Sequence, residues 1–222
     1  MFDSKMKHLP IITILYIVFN IVVYFWMSHT SGVNPFSGPS AAQIMQFNHQ
    51  TLGADPDLIV ASMFKTFEHA SFQHLVVNSC EILIVGGVIE SFLARSMYLL
   101  FILVCMLVVG VAVHETTTTL TIGASGIEYG MLTLVLPIMS MEVLIYKKIW
   151  LLIPIGLVLL LAGGLLYASF KDSSISAVGH ITGMATGYAF GCFVAGLHVD
   201  LQKRIANHTG IEPSVAAVQV ID

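Results

Sequence analysis

Charged residues are scarce in this chain, since only 10% of its 222 residues are Asp, Glu, Lys or Arg, against about 25% in typical soluble domains. Its hydrophobic share of 56% exceeds the roughly 45–50% of such domains. A chain of this length cannot bury so much apolar surface in one core, so much of its outer surface must face lipid. The composition is therefore not that of a water-soluble fold.

Blocks of like charge are also lacking. The net charge of −4 is spread thinly, without a basic stripe, which argues against a nucleic-acid partner. The three cysteines, Cys80, Cys105 and Cys192, lie in apolar runs with no metal-ligand spacing between them. We expect them to be small buried residues, and we predict no metal and no cofactor.

The N-terminal apolar run, from Leu9 to about Met27 after Lys5 and Lys7, is similar to a secretory signal at first sight. It is longer than the roughly 7–15 residues of a signal core, and no small-residue cleavage site clearly follows it. We therefore expect this run to be retained as a first membrane span.

Apolar runs of about 20 residues, the length that crosses a bilayer, occur six times. The predicted spans lie near residues 9–28, 71–93, 97–114, 123–145, 149–170 and 177–199. The expected fold is an all-α integral membrane bundle of six helices, forming one domain over residues 1–205. The outer loop 29–70 is too long for a plain connector, so we expect it to be ordered and partly interfacial. Residues 206–222 are expected to form a short cytoplasmic tail with little structure.

Basic residues predict the orientation of these spans. If the N-terminus is cytoplasmic, seven of the nine Lys and Arg residues lie on the cytoplasmic side, as the positive-inside rule favours. The seven are Lys5, Lys7, Arg95, Lys147, Lys148, Lys203 and Arg204, and the other two are Lys65 and Lys171. Both termini are then cytoplasmic, and the second, fourth and sixth spans run inward from the outer face. His74, Ser125 and His180, near the starts of those spans, therefore share one depth.

Polar side chains inside spans are costly, so each one indicates a functional site by default. In the second span His74 and Asn78 are four residues apart and Glu81 is three further on, which puts them on one helical face. In the fourth span Ser125 shares a face with Tyr129. We expect both faces to look into the bundle.

Glycines predict a close approach of the fourth and sixth spans. Gly126 and Gly130 form a small-xxx-small pair in the fourth span. The sixth span carries glycine at every fourth position beside His180, at Gly179, Gly183, Gly187 and Gly191. Ser125 Oγ and a ring nitrogen of His180 are therefore expected within about 3 Å, the distance at which histidine activates a serine nucleophile.

Acyl transfer also needs hydrogen-bond donors for the oxyanion. His74 and Asn78 are the clustered side-chain donors at this depth, and the backbone N–H groups near Ser125 would add to them. His69, at the end of the outer loop, is either a further helper or a structural residue. We find no carboxylate placed to orient His180, so we predict a Ser–His dyad.

These motifs resemble the rhomboid family of intramembrane serine proteases over about residues 60–195. The family's Gly-x-Ser-Gly occurs as Gly123-Ala124-Ser125-Gly126, and its histidine with spaced glycines as His180 followed by Gly183. The resemblance implies that Ser125 and His180 are catalytic and that Gly123, Gly126 and Gly183 support them.

Further upstream, the sequence from His69 through His74 to Asn78 is similar to the family's His-x4-His-x3-Asn pattern. The resemblance assigns His74 and Asn78 to the oxyanion site. It also implies that Tyr129 packs on the catalytic histidine and that Glu90, in Gly86-Gly87-Val88-Ile89-Glu90, is structural.

Two positions depart from the family pattern. Many members carry a Trp-Arg pair some nine residues before His69, where this chain has Val60 and Ala61. The second departure is Glu128, an acid in the catalytic span where an apolar residue is usual. Glu128 is either protonated, paired or exposed to a water-filled cavity.

The resemblance implies an intramembrane serine endopeptidase that cleaves transmembrane segments of other membrane proteins. It further suggests substrates with a small residue at the cut and an easily unwound helix, entering past the second and fifth spans. We expect a multi-pass protein of the cell (inner) membrane with its site toward the outer face. The alternatives are a non-proteolytic rhomboid-like protein that binds or escorts membrane proteins and, less favoured, an ion or proton conductor using Glu81, Glu128 and the histidines.

Overall fold

The structure, a computed structural model, describes residues 9–53, 57–116, 123–171 and 177–209. Within these ranges the regular structure is helical throughout, which confirms the expected all-α class. The helices are α1 (Ile11–Thr30), α2 (Ala41–Leu52), α3 (Leu58–Lys65), α4 (Phe72–Phe92), α5 (Arg95–Thr116), α6 (Ser125–Tyr146), α7 (Leu152–Lys171) and α8 (Ala177–Thr209). A 3-10 turn, Ile149–Leu151, leads into α7.

Five of the described helices, α1, α4, α5, α6 and α7, are long and apolar enough to cross a membrane. Each lies over one of the first five predicted spans. α8 lies over the sixth but is less apolar, because glycines, threonines and His180 interrupt its apolar run. The count of six spans and the cytoplasmic placement of the termini therefore stay predictions.

The last helix, α8, is longer than the sixth predicted span. α8 does not end at residue 199 but continues to Thr209, so the first residues of the expected tail are helical. The rest of that tail, 210–222, lies outside the described residues, as do Lys5 and Lys7.

The segment between α1 and α4 contains two short helices with their own caps. Ser40 and Gln43 form a capping box at the start of α2, and Asp57 accepts hydrogen bonds from the first backbone N–H groups of α3. A small apolar cluster ties α2 to α1 and α4; its fully buried members are Tyr24, Met27, Ile44, Phe47 and Leu75. This cluster holds the segment against the end of the bundle where α4 begins.

α6 is the most buried of the five candidate spans and α7 the least. α6 packs most extensively against α8, along a seam of glycines. A Cβ atom at Gly183 would overlap the backbone oxygen of Gly126, and one at Gly187 would overlap that of Gly130. Backbone therefore contacts backbone along this seam, as the glycine spacing predicts.

The opposite end of the bundle is fixed by Glu90. Its carboxylate accepts hydrogen bonds from the backbone N–H groups of Ile12 and Thr13, at 3.0 and 2.9 Å, and lies 3.4 Å from the guanidinium of Arg95. A carboxylate at a helix N-terminus satisfies free N–H groups and complements the helix dipole. Glu90 thus joins the end of α4 to the start of α1, which is a structural contact.

The expectation that all three cysteines are buried is wrong for two of them. All three are free, but only Cys105 is buried, whereas Cys80 on α4 and Cys192 on α8 are exposed. In a bundle whose outer surface faces lipid, an apolar neighbourhood in sequence does not separate buried positions from outward-facing ones.

Candidate functional site

Ser125 and His180 meet at the starts of two neighbouring helices. Ser125 is the first residue of α6, and His180 lies in the first turn of α8. The Oγ atom of Ser125 is 2.8 Å from Nε2 of His180. His180 is buried, with only 4% of its surface exposed. The approach depends on glycine, because a Cβ at Gly126 would lie 3.1 Å from the backbone oxygen of Gly179 and closer still to Val109.

The imidazole of His180 is stacked on Tyr129. The two ring centroids are 3.9 Å apart and the ring planes differ by 9°. Tyr129 lies one turn after Ser125 on α6. The same helix therefore carries the Ser125 hydroxyl and the phenol ring that stacks on His180. The stack restricts rotation of the imidazole out of the plane that faces Ser125.

Ser169 on α7, which was not among the predicted site residues, contacts the other edge of the imidazole. Its Oγ is 2.6 Å from Nδ1 of His180 and 3.0 Å from the backbone oxygen of Leu165. When Nε2 accepts from Ser125, a neutral imidazole carries its proton on Nδ1. Nδ1 then donates to Ser169, whose hydroxyl donates to Leu165. This chain of hydrogen bonds favours the tautomer that leaves Nε2 free to accept a proton.

Asn78, His74 and His69 form a cluster on the far side of Ser125 from α7. The amide nitrogen Nδ2 of Asn78 is 3.2 Å from Nε2 of His74 and 3.1 Å from Nε2 of His69. The two imidazole rings are 5.1 Å apart and tilted by 65°. The structure therefore adds His69 to the pair that the sequence singled out.

The protonation of His69 fixes the orientation of the Asn78 amide. Burial, together with the neighbouring His74, lowers the pKa of His69 from 6.5 to about 3, so the ring is neutral at physiological pH. Its Nδ1 lies 3.1 Å from the backbone oxygen of Phe67, which can only accept, so Nδ1 carries the proton. Nε2 therefore accepts, and the group of Asn78 that faces it is the donating NH2.

Gly123 connects this cluster to the serine. Its φ of +116° is one that other residues rarely adopt, and a Cβ there would lie 2.8 Å from Cε1 of His74. Its N–H donates to the backbone oxygen of Lys65 at 3.1 Å. The first N–H groups of α6, at Ser125 and Gly126, point out of the helix N-terminus, where an anion is favoured.

A cavity of about 600 Å³ adjoins all of these groups. Ser125, His180, His74 and Asn78 line it, and residues of α2, α3, α5 and α7 complete its walls. Glu81 and Glu128 also line it, one turn further along α4 and α6. Both carboxyl oxygens of Glu128 are nevertheless buried, and the group interacts with the carboxyl group of Glu81, so the structure favours the paired alternative for Glu128.

The described helices, with the Ser–His pair between two of them, are those of a multi-pass integral membrane protein with a site set into its helical bundle. The Rhomboid domain model matches residues 59–196, more than half of the chain. The chain belongs to the rhomboid family, whose members are typically intramembrane serine proteases, and the resemblance seen in the sequence is confirmed. No curated protein matches the chain significantly.

Proposed function

We propose that this protein is an intramembrane serine endopeptidase that cleaves transmembrane segments of other membrane proteins. The observation that carries the proposal is the 2.8 Å separation of Ser125 Oγ and His180 Nε2. A serine hydroxyl is a poor nucleophile until a base within this distance takes its proton. Family membership supports the same reaction class.

In the proposed reaction, Ser125 Oγ attacks the carbonyl carbon of the scissile peptide bond while His180 Nε2 takes the hydroxyl proton. His180 then gives that proton to the leaving amine, which produces an acyl-enzyme. Water, deprotonated by His180, hydrolyses the ester and restores Ser125. Tyr129 holds the imidazole plane, and Ser169 is a positioning residue that keeps the Nδ1 proton in place.

The oxyanion of the tetrahedral intermediate would be bound by Asn78, His74 and the N–H groups at the start of α6. Nδ2 of Asn78 and Nε2 of His74 are 3.2 Å apart, close enough for both to donate to one oxygen. One N–H of Asn78 is occupied by His69, and the other, which faces Nε2 of His74 in the resting site, would turn to the oxyanion when that oxygen forms. Gly123 supports this arrangement because its lack of a side chain lets His74 pack directly against the backbone that precedes Ser125.

Substrate would enter the cavity from the lipid between α4 and α7. Both helices line the cavity, and α7 is the least buried candidate span, so it has the fewest contacts to lose when a segment enters. We further propose that α8 is a sixth span, that both termini are cytoplasmic, and that the site opens toward the outer face of the cell membrane. The excess of Lys and Arg residues on the side of the membrane opposite the site supports this orientation.

The test is cleavage of transmembrane substrates by the purified protein in proteoliposomes, combined with labelling by a fluorophosphonate. The wild-type protein should cut and be labelled, whereas Ser125→Ala and His180→Ala should insert normally and do neither. Ser91→Ala, which removes an exposed serine from the inner part of α4, is the matched control and should behave as wild type. Retained cleavage by Ser125→Ala would refute the dyad, and a wild-type protein that binds substrates without labelling would support the escort alternative.

A further inference from the structure

Lys65, the last residue of α3, lines the cavity of the site, and the proposed reaction does not use its charge. Among the described residues that line this cavity, it is the only Lys or Arg. Its ammonium group makes no hydrogen bond or ion pair within the part of the chain that the structure describes. A substrate that enters the cavity displaces the water around this group, so the ammonium needs a new partner there.

The backbone of Lys65 is tied to the residue two positions before the nucleophile. The N–H of Gly123 donates to the backbone oxygen of Lys65 at 3.1 Å. Because α6 begins at Ser125 and runs inward in the proposed orientation, Gly123 and Lys65 lie on the outer side of the reacting atoms. Glu81 and Glu128 lie on the inner side, further along α4 and α6, and interact with each other. The outer part of the cavity therefore contains the cation and the inner part contains the acids.

A third acid, Glu68, is close enough to feel the charge of Lys65, but it does not form an ion pair with it. Glu68 is fully buried, and its nearest described polar neighbour is the side chain of Asn48. Lys65 itself is half-buried, with its ammonium group toward the cavity. The positive charge of Lys65 is therefore available to an anionic group that enters from the substrate.

The position of Lys65 indicates which part of a substrate it can contact. An extended chain advances about 3.3 Å per residue, so residues two to four positions from the cut lie about 7–13 Å from the scissile carbonyl. For a substrate whose N-terminus lies on the outer side, the residues that pass Lys65 are P2, P3 and P4. The P1 position, next to Ser125, stays free for the small residue that the family resemblance implies.

We infer that Lys65 is a specificity-determining residue that binds an acidic side chain, Asp or Glu, at one of the positions P2 to P4 of the substrate. This rests on the proposed proteolytic function. Apolar side chains of the cavity wall, such as Ile44 and Val113, keep the local dielectric below that of water and so strengthen the pair. Lys171, the other lysine predicted on the outer side, is not among the residues that line the cavity.

The test uses transmembrane peptides with Ala at P1 that carry Glu, Gln or Lys in turn at P2, P3 or P4. In nanodiscs of neutral lipid, the wild-type protein should cleave the best Glu peptide with kcat/KM about 5-fold above its Gln counterpart, the upper range for a partly exposed ion pair. The Lys counterpart should be the slowest. Added salt should reduce the advantage of Glu, and moving Glu to P2′–P4′ should remove it.

Variants then assign the preference to its residue. In Lys65→Gln the Glu-to-Gln ratio should fall to about 1, and in Lys65→Glu the order should reverse, so that the Lys peptide is cleaved fastest. A reversed preference cannot arise from a loss of packing. Lys171→Gln, which removes an exposed cation beside Tyr167, is the matched control and should keep the wild-type ratio. A wild-type ratio near 1 at all three positions, or a ratio unchanged by Lys65→Gln, would overturn the inference.

A binding measurement separates this inference from the proposed function. Ser125→Ala, which should cut nothing, should still bind the Glu peptide about 5-fold more tightly than the Gln peptide, by fluorescence anisotropy in the same nanodiscs. Adding Lys65→Gln should remove that difference. Binding preference without any wild-type cleavage would refute the protease while supporting the role of Lys65. Ser125-dependent cleavage with no preference at P2 to P4 would do the reverse.

Discussion

Ser169 and His180 are joined by a 2.6 Å hydrogen bond between Oγ and Nδ1, on the edge of the imidazole that faces away from Ser125. The bond links α7 to α8. In serine hydrolases with a triad a carboxylate usually occupies this position. Here a neutral hydroxyl does so, and it passes the hydrogen bond on to the backbone oxygen of Leu165.

Removing the hydroxyl of Ser169 should slow catalysis without weakening substrate binding. We expect Ser169→Ala to lower kcat about 10-fold, the effect of one neutral hydrogen bond, with KM nearly unchanged. Ser169→Thr, which keeps a hydroxyl, should recover much of the loss. Steady-state cleavage in proteoliposomes measures both constants, and an equal loss in the Thr variant would indicate a packing role instead.

His69 should contribute to the rate through Asn78. Without its acceptor nitrogen, the amide of Asn78 is free to turn, so we expect His69→Ala to lower kcat about 10-fold. His49→Ala, which removes an exposed histidine from α2, should have no effect. A KM increase with unchanged kcat in His69→Ala would contradict the assignment to the oxyanion site.

The glycine seam between α6 and α8 should be intolerant of even a methyl group. Gly183→Ala places a Cβ against the backbone oxygen of Gly126, and we expect it to lower the free energy of unfolding by about 1–3 kcal/mol. Activity should fall as well, because the seam sets the distance between Ser125 and His180. Gly163→Ala on α7 has open space around the added atom and should leave thermal stability in detergent unchanged or slightly higher. Equal effects of the two substitutions would refute the seam.

Glu68, between α3 and α4, should make stability depend on pH. Burial raises its pKa from 4.5 to about 7, and the nearby Asn48 and Lys65 offset only part of that rise. Between pH 4.5 and about 7, Glu68 keeps its proton in the folded protein but has lost it in the unfolded chain. The stabilisation from the protonated Glu68 is therefore complete below pH 4.5 and is lost as the pH rises to about 7. We expect the loss to be on the order of 3 kcal/mol.

Glu68→Gln isolates this effect, because glutamine does not titrate. The variant should gain stability relative to wild type between pH 5 and pH 8 in thermal unfolding experiments. His69, whose pKa is lowered to about 3, instead reduces stability as the pH falls below 6.5. Because His69 is present in both proteins, its effect cancels in the comparison. Parallel pH profiles of the two proteins would contradict the prediction.

The meeting of Ser125 and His180 could be foreseen because two simple regularities determine it. Span direction sets the depth of each residue, and the glycines of the fourth and sixth spans set how closely their helices approach. The stack of Tyr129 on His180 follows from the same helical spacing. These are properties of single helices and of helix pairs, which a sequence shows directly.

The sequence does not predict a role for Ser169 and leaves that of His69 open, because these roles depend on the rotation of α7 and on the path of a loop. A lone serine in an apolar helix is usually a packing residue. Its one distinguishing sign was its position near the end of the fifth predicted span, at the depth of His180. The exposure of Cys80 and Cys192 is not predictable from sequence for a related reason, since lipid-facing and buried surfaces are both apolar.

The seam between α6 and α8 also restricts which mutations a genetic screen can recover. At Gly183 and Gly187 the obstacle to a larger residue is a main-chain oxygen, which no substitution in α6 can remove. At Gly86 the nearest obstacle is instead the hydroxyl of Tyr98, which Tyr98→Phe deletes. Second-site suppressors should therefore arise for Gly86→Ala and be missing for Gly183→Ala.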